Sequence, residues 1–470
     1  MPKQQLKKTK YAKVFKAAKA QRATEDESIA KKPTVLHLIK FTLPTMLSML
    51  IMGTMGIVDG IFVSRHIDPI ALAAVGLVWP FISFVMAFGF MMGVGGNALV
   101  AKKIGEGQER QGRENFSLIS LVSLIVSVLL TLIGVFFPDF IFNILSVDDF
   151  AREMAHDYMR PMLLFLPAIT LGMIFNQFLI TVGKAHYSAV ITLVGGLLSA
   201  GLNYVFIVRL DMGISGASIA SSMGFVLPFV VGLLYFVFNR RNTVYLVLPK
   251  WDFRALVRSA VNGASEMVTM LAATITATRM NRVLMGLEDG GLMAVGASAI
   301  IFGGMGIFTA LFVGYASGMA PIVSYNYGKN NTGYLKLLFR NSMGIITVTS
   351  VAAVALTFLL MSPLLWVYDI PSYAPIYDMA RDGLMFLSIG FIFMGFNFFA
   401  SMLFTALNNG LVSSFLSACR TLLFVLLAFE ILPRMWGLTG AWLSTPMAEV
   451  LGIFVTLFFL VKMRKKYGYA

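Results

Sequence analysis

Apolar residues fill stretches of twenty to thirty positions at a time along this chain, and polar residues gather in the short gaps between them. The stretches lie near 36–64, 69–100, 115–138, 153–182, 186–208, 213–239, 255–286, 292–321, 333–361, 378–407, 411–431 and 438–463. Each is at least as long as the roughly 20 residues a helix needs to cross a bilayer. Only helices and closed barrels satisfy their backbone polar groups in lipid, and uninterrupted runs of this length read as helices. The pattern predicts an all-α polytopic membrane protein with twelve spans.

The pattern also repeats. Met212-Gly213-Ile214-Ser215-Gly216-Ala217 returns as Trp436-Gly437-Leu438-Thr439-Gly440-Ala441, an offset of 224. Phe175-Asn176 returns as Phe396-Asn397, and Ala74-Val75-Gly76 as Ala294-Val295-Gly296, at nearly the same offset. Six spans per half is an even number, so both halves enter the membrane in one orientation, related by an axis along its normal, as in secondary transporters. The expected organisation is a tail over 1–35, an N-terminal bundle over 36–239, a linker over 240–254, a C-terminal bundle over 255–463 and a tail over 464–470. A cleft between two such bundles can open to one side at a time. One chain already supplies a complete cavity, so a monomer suffices.

Composition sharpens this. Hydrophobic residues make up 58% of the 470 positions and charged residues 13%, against about 25% charged in soluble domains. The net charge of +14 is placed as topology demands rather than as a nucleic-acid footprint, and no nucleic-acid partner is expected. Lys7, Lys8, Lys10, Lys13, Lys16, Lys19, Arg22, Lys31 and Lys32 crowd the N-terminal stretch, which lacks the apolar core of a signal peptide. Lys102, Lys103, Arg110 and Arg113 follow span 2, Arg240, Arg241, Lys250, Arg254 and Arg258 follow span 6, and Lys329, Lys336 and Arg340 follow span 8. The opposite loops, with Asp148-Asp149 and the segment from Asp369 to Asp378, are lean or acidic. The positive-inside rule then puts both termini in the cytoplasm of a multi-pass cell-membrane protein. The lone Cys419 supports no disulfide framework. There is no phosphate loop for ATP, no spaced Cys or His set for a metal and no catalytic constellation, so neither a cofactor nor an enzyme is expected.

A carboxylate inside a span costs about 2.5–3.5 kcal/mol on insertion scales, which makes each one a functional candidate. Asp59 lies in Gly56-Ile57-Val58-Asp59-Gly60 of span 1, and Glu266 in Asn262-Gly263-Ala264-Ser265-Glu266 of span 7. Burial disfavours the bare anion, so such a group takes up a proton or a cation. Arg279 lies some 20 Å along the same helix from Glu266, too far for a partner, and Asn281 beside it near the outer end is expected to support the cavity or ion site. Arg420 in span 11 and Glu449 in span 12 are placed to pair within the C-terminal bundle. Asn176 and Asn397, one per bundle, serve interhelical hydrogen bonds or line the cavity.

Span 8 ends in Pro321-Ile322-Val323-Ser324-Tyr325-Asn326-Tyr327-Gly328, and span 2 ends in Gly95-Gly96-Asn97-Ala98-Leu99-Val100-Ala101-Lys102-Lys103-Ile104-Gly105. With Leu72 to Gly76, Val182 to Ala185, Arg420 and both Gly-x-x-Gly-Ala segments, this resembles the prokaryotic branch of the multidrug and toxic compound extrusion (MATE) family over about residues 36 to 460. The resemblance implies export of drugs or metabolites, cationic and amphipathic, in exchange for protons or sodium ions. It makes Asp59 the acid of the N-terminal cation site and Glu266 the glutamate of the C-terminal bundle. The family's second N-terminal acid falls at Asn203, which cannot titrate, and Ser199 stands where the family often has asparagine. A single acid favours proton coupling. In Pro321, Tyr325, Asn326, Tyr327 and Gly328 a structural or gating role is expected, as for Arg420 and Glu449. The alternative is a lipid-linked oligosaccharide flippase of related architecture, which calls for a cationic cavity with several Arg or Lys inside the spans, of which the chain offers few, mainly Arg279 and Arg420.

Overall fold

The computed structural model describes residues 32–67, 69–144, 149–240, 242–288, 291–367 and 375–470. The basic tail up to residue 31, Asp148, Arg241 and the part of the Asp369 to Asp378 segment up to residue 374 lie outside them. The described residues form helices and no strand: α1 (Val35–His66), α2 (Pro69–Gly105), α3 (Glu109–Phe136), the short α4 (Pro138–Ile144), α5 (Asp149–Thr181), α6 (Ala185–Asn203), α7 (Gly213–Phe238), α8 (Phe253–Met285), α9 (Gly291–Gly328), α10 (Thr332–Val367), α11 (Pro375–Ala406), α12 (Gly410–Ala418) and α13 (Phe424–Tyr467). A π-type turn, Tyr204–Arg209, extends α6, and a second, Cys419–Leu423, joins α12 to α13.

Ten helical segments among the described residues are long and apolar enough to cross a membrane. One of them, Gly410–Tyr467, is really two crossings. It breaks at Trp436 (φ −131°, ψ 19°) and Gly437 (φ 53°, ψ −132°). The twelfth is α8, 33 residues long, whose Arg254, Arg258, Asn262, Glu266, Arg279, Asn281 and Arg282 make it too polar to qualify by composition. Twelve crossings therefore match the expectation. The repeated Gly-x-x-Gly-Ala segment has a backbone reason: Gly213 (φ 59°) and Gly437 (φ 53°) both take the left-handed conformation that side chains resist. The second glycines, Gly216 and Gly440, lie against Phe206 and Leu432 across the same bends. The helices overrun the apolar runs, because α9 continues through Pro321 to Gly328 and α2 reaches Gly105; neighbouring helices support a proline inside a span.

Within the first half α2, α3, α6 and α7 pack on α5 and on one another, and within the second α11 gathers α9, α10, α12 and α13. Phe116 lies 4.5–6.1 Å from the rings of Phe175, Phe178 and Phe236 at the centre of the first bundle. The bundles meet where α2 crosses α8 and where α9 crosses α1. These seams lie in the half of the membrane domain nearest the linker. Gly95 faces the backbone of Ser259 and Gly263, Gly263 faces the backbone of Met91, and Gly318 faces Thr42 and Thr45. Small residues permit such backbone approach where lipid gives helices little hydrophobic reason to associate. Thr45 donates to the carbonyl of Gly314 (2.8 Å) and Asn341 to that of Pro33 (2.6 Å) across the seam.

The linker is extended and docked. Arg113 of α3 donates to the Thr243 carbonyl (2.8 Å) and the Tyr245 hydroxyl (3.3 Å), and Val247 N–H donates to Ser117 Oγ (2.9 Å). Val244 is wholly buried, whereas Leu248, Trp251 and Phe253 are exposed. At its far end the Asp252 side chain accepts from Ala255 N–H (3.1 Å) and caps α8.

Candidate functional site

Three helices of the N-terminal bundle converge on Asp59. It sits seven residues before the end of α1, about 10 Å along the helix at 1.5 Å per residue. Ser199 and Asn203, four apart, share one face of α6, and α6 passes into its π-type turn directly after Asn203. Turns of this kind recur at functional sites because they re-aim side chains out of helical register. Asn203 Nδ2 donates to Asp59 Oδ1 at 2.6 Å, and Ser199 Oγ to the same oxygen at 3.3 Å. Ser221 of α7 donates to Oδ2 at 2.7 Å. All three donors are neutral and buried. Asn203 Oδ1, also buried, has no partner. Among the described residues the cluster thus pairs a carboxylate that has no cationic neighbour with a spare acceptor oxygen. Ser221→Ala removes one donor to a charged group, an interaction of about 1.5–3 kcal/mol; the ion-coupled export expected from the sequence should slow about tenfold in initial rate, with protein yield unchanged.

The C-terminal bundle holds a different arrangement. Arg420, in the π-type turn after α12, donates through Nη1 to Glu449 Oε1 (2.9 Å), and Asn397 Nδ2 donates to Glu449 Oε2 (2.7 Å). Thr456 completes the network by donating to Asn397 Oδ1 (2.8 Å). Each of these side chains is at least 95% buried. The guanidinium lies 3.9 Å over the Phe398 ring, and its Nη2 has no partner. The pair borders a cavity of about 330 Å³ lined in part by Thr269, Phe302, Thr309 and Phe398.

Glu266 is partly buried on α8 within Coulombic reach of Arg420, without a hydrogen bond to it. Ser265 does not pin it, being turned to Thr405 Oγ1 at 3.2 Å. Asn176 donates to Thr192 (3.2 Å) and accepts from Ser188, so it ties α5 to α6. Asn281 is exposed at the far end of α8, apart from both clusters. In the segment after Pro321, Tyr325 and Asn326 are buried, Asn326 donates back to the Ile322 carbonyl (2.9 Å), and Lys102 lies 5.0 Å over the Tyr327 ring. Gly328 faces the Lys102 backbone across the seam. These residues form part of the contact between the bundles.

Two polar residues escaped the sequence reading. Ser221 lies among Gly, Ala and Ser residues at the start of α7, where a small side chain reads as packing; its place one turn beyond Ala217 was the available signal. Glu430 is a further acid within the spans and bridges Arg279 of α8 and Arg434. Among the described residues no group of three or more metal-binding side chains gathers.

Comparison with known proteins adds a family. A family model described as MatE matches residues 44–205 and 266–429. The multidrug export protein MepA of Staphylococcus haemolyticus is 22% identical over 449 residues, 94% of this chain and 95% of that protein, and MepA of Staphylococcus aureus strain MSSA476 is 23% identical over 451. Among solved structures, an outward-facing multidrug resistance MATE family transporter superposes with a TM-score of 0.86 at 22% identity, covering 93% of this chain and 98% of that one. A transporter from Pyrococcus furiosus, described as having a binding pocket of reversed polarity, superposes with a TM-score of 0.85 at 21% identity over 94% and 98%.

Proposed function

The chain belongs to the MatE family, a family of transporters rather than enzymes, and from that premise we propose that it is a multidrug efflux antiporter exchanging cationic amphipathic compounds for protons. Its relatives' description as multidrug export proteins supports efflux of small molecules through a membrane. The bundles over 36–239 and 255–463 are the moving bodies, Asp59 is the ion carrier, and the 330 Å³ cavity of the C-terminal bundle houses the exported molecule. With the termini and linker in the cytoplasm, as the basic loops require, the glycine seams close the cytoplasmic side and leave the cleft facing outward.

One observation carries the coupling assignment. Of the four acids named within the spans, Glu449 and Glu430 have arginine partners, Glu266 lies beside Arg420, and Asp59 is held by neutral groups alone. A buried carboxylate without a counter-ion has the largest gain from taking up a cation. Three donors take three of the carboxylate's roughly four lone-pair sites, which leaves room for a proton and suits it better than a sodium ion needing several free oxygens. Protonation from outside biases the protein toward the inward-open state, and proton release inside reverses the bias. The paired Arg279 and Arg420 offer no field of free cations for a glycan diphosphate, so the flippase reading finds no support.

In proteoliposomes loaded with a cationic dye, an imposed pH gradient is expected to drive export without sodium. Export that runs on a sodium gradient and ignores the pH gradient would overturn proton coupling while leaving the antiporter standing.

A further inference from the structure

The two polar clusters differ in what they leave unsatisfied among the described residues. Beside Asp59 the unmatched atom is an acceptor, the Asn203 Oδ1 oxygen. Beside Glu449 it is a donor, Arg420 Nη2. Both oxygens of Glu449 are already engaged, one by Arg420 and one by Asn397, and Asn397 Oδ1 is taken by Thr456. The one atom of this ion-pair network left without any partner is therefore a cationic donor. A buried donor left unmatched costs about 1–3 kcal/mol, a penalty a ligand acceptor relieves.

We propose that the C-terminal cavity recognises an organic carboxylate on the exported molecule through the free guanidinium nitrogen of Arg420. Arg420 belongs to the cavity wall beside Thr269, Thr309 and Phe398. A guanidinium offers several donors in one plane, so one nitrogen can hold Glu449 while another meets a second carboxylate. Glu449 fixes the fork and the Phe398 ring lies against its face, so little side-chain entropy remains to be lost on binding. Glu266, near but not bonded to Arg420, is the internal rival for that donor. The aromatic faces of Phe302 and Phe429, also in the wall, suit the cationic part of the same molecule. The preferred substrate class is then a zwitterionic amphiphile rather than a simple cation. This inference rests on the reading that the cavity houses substrate.

The test uses a matched pair of probes, a rhodamine with a free benzoate and its ethyl ester, both carrying the delocalised cation. Fluorescence anisotropy with the purified protein in micelles is expected to show the benzoate form bound about tenfold more tightly than the ester, the increment of one charge-assisted hydrogen bond. The double variant Arg420→Gln with Glu449→Gln removes the pair together and strands no buried charge. It is expected to elute from size-exclusion chromatography as a single species like the wild type, which certifies its fold, and to lose the preference. If that variant does not fold, Arg420→Lys is read instead and is also expected to lose it. Equal or tighter binding of the ester by the wild type, or a preference that survives either variant, overturns the inference while ester export leaves the antiporter reading intact. If the wild type neither binds nor exports either dye, the antiporter reading falls with it.

Discussion

Asp59→Asn is expected to reduce gradient-driven dye efflux at least a hundredfold, to the leak of empty liposomes, because it removes the group proposed to couple the ion to the conformation through its two charge states. The substitution is close to isosteric, and Ser199, Asn203 and Ser221 can each still bond to an amide. Folding is therefore preserved, and dye binding in micelles should change by no more than about threefold, since the amide binds no proton but the substrate cavity lies in the other bundle. The separation of binding from transport is the informative part. A variant that neither binds nor exports has lost its structure, whereas one that still exports along a pH gradient moves the ion carrier elsewhere, Glu266 being the next acid to substitute.

Gly263→Val is expected to abolish transport for a mechanical reason. The Cα of Gly263 lies against the backbone of Met91, and that of Gly95 against Ser259 and Gly263. Backbone on both sides cannot yield as a flexible side chain does. A valine would hold α2 and α8 apart and penalise the sealed state by about 3 kcal/mol or more, the scale of overpacking in a rigid contact. That shift is about a hundredfold in the ratio of sealed to open forms. Spin labels on the exposed Arg110 and Lys336, one per bundle, should report a longer distance in the variant. An unchanged distance with normal transport would mean that the seam is not part of the cycle. Gly263→Ala should show the same change in smaller measure.

The crossings were legible because lipid enforces them: a span must be long and apolar, and α1, α2 and α5 announce themselves. The polar α8 was the least apolar of the stretches read as spans, since its linker-side half packs on α2 and need not face lipid. Helix ends were less legible, as α9 shows by passing through Pro321, because neighbouring helices rather than the local sequence decide where the backbone is satisfied. Asp59, Ser199 and Asn203 could be placed together through the resemblance and the spacing of four on α6. Ser221 could not, because a serine in a run of small residues carries no mark of its direction. The pairing of Arg420 with Glu449 followed from two opposite charges in adjacent spans. That Asn397 joins them did not, since an asparagine in a span serves equally as a packing tie, as Asn176 does. Cavity walls are the least legible of all. In a membrane protein the faces toward lipid, neighbour and cavity are all apolar, so Phe302, Phe398 and Phe429 read alike with the phenylalanines that meet lipid.

The docked linker sets a limit on travel. It is fixed to α3 as far as Val247, through Ser117, and fixed again at Asp252 by the cap on α8. Only the peptide between those anchors is slack, and fully drawn out it spans roughly 18 Å. Whatever rotation the two bundles undergo, their near ends on this side stay on a leash of that length. The remote flank carries no such tie, so on the proposed antiporter reading the wider opening lies there, which gives the entrance a handedness within the membrane plane.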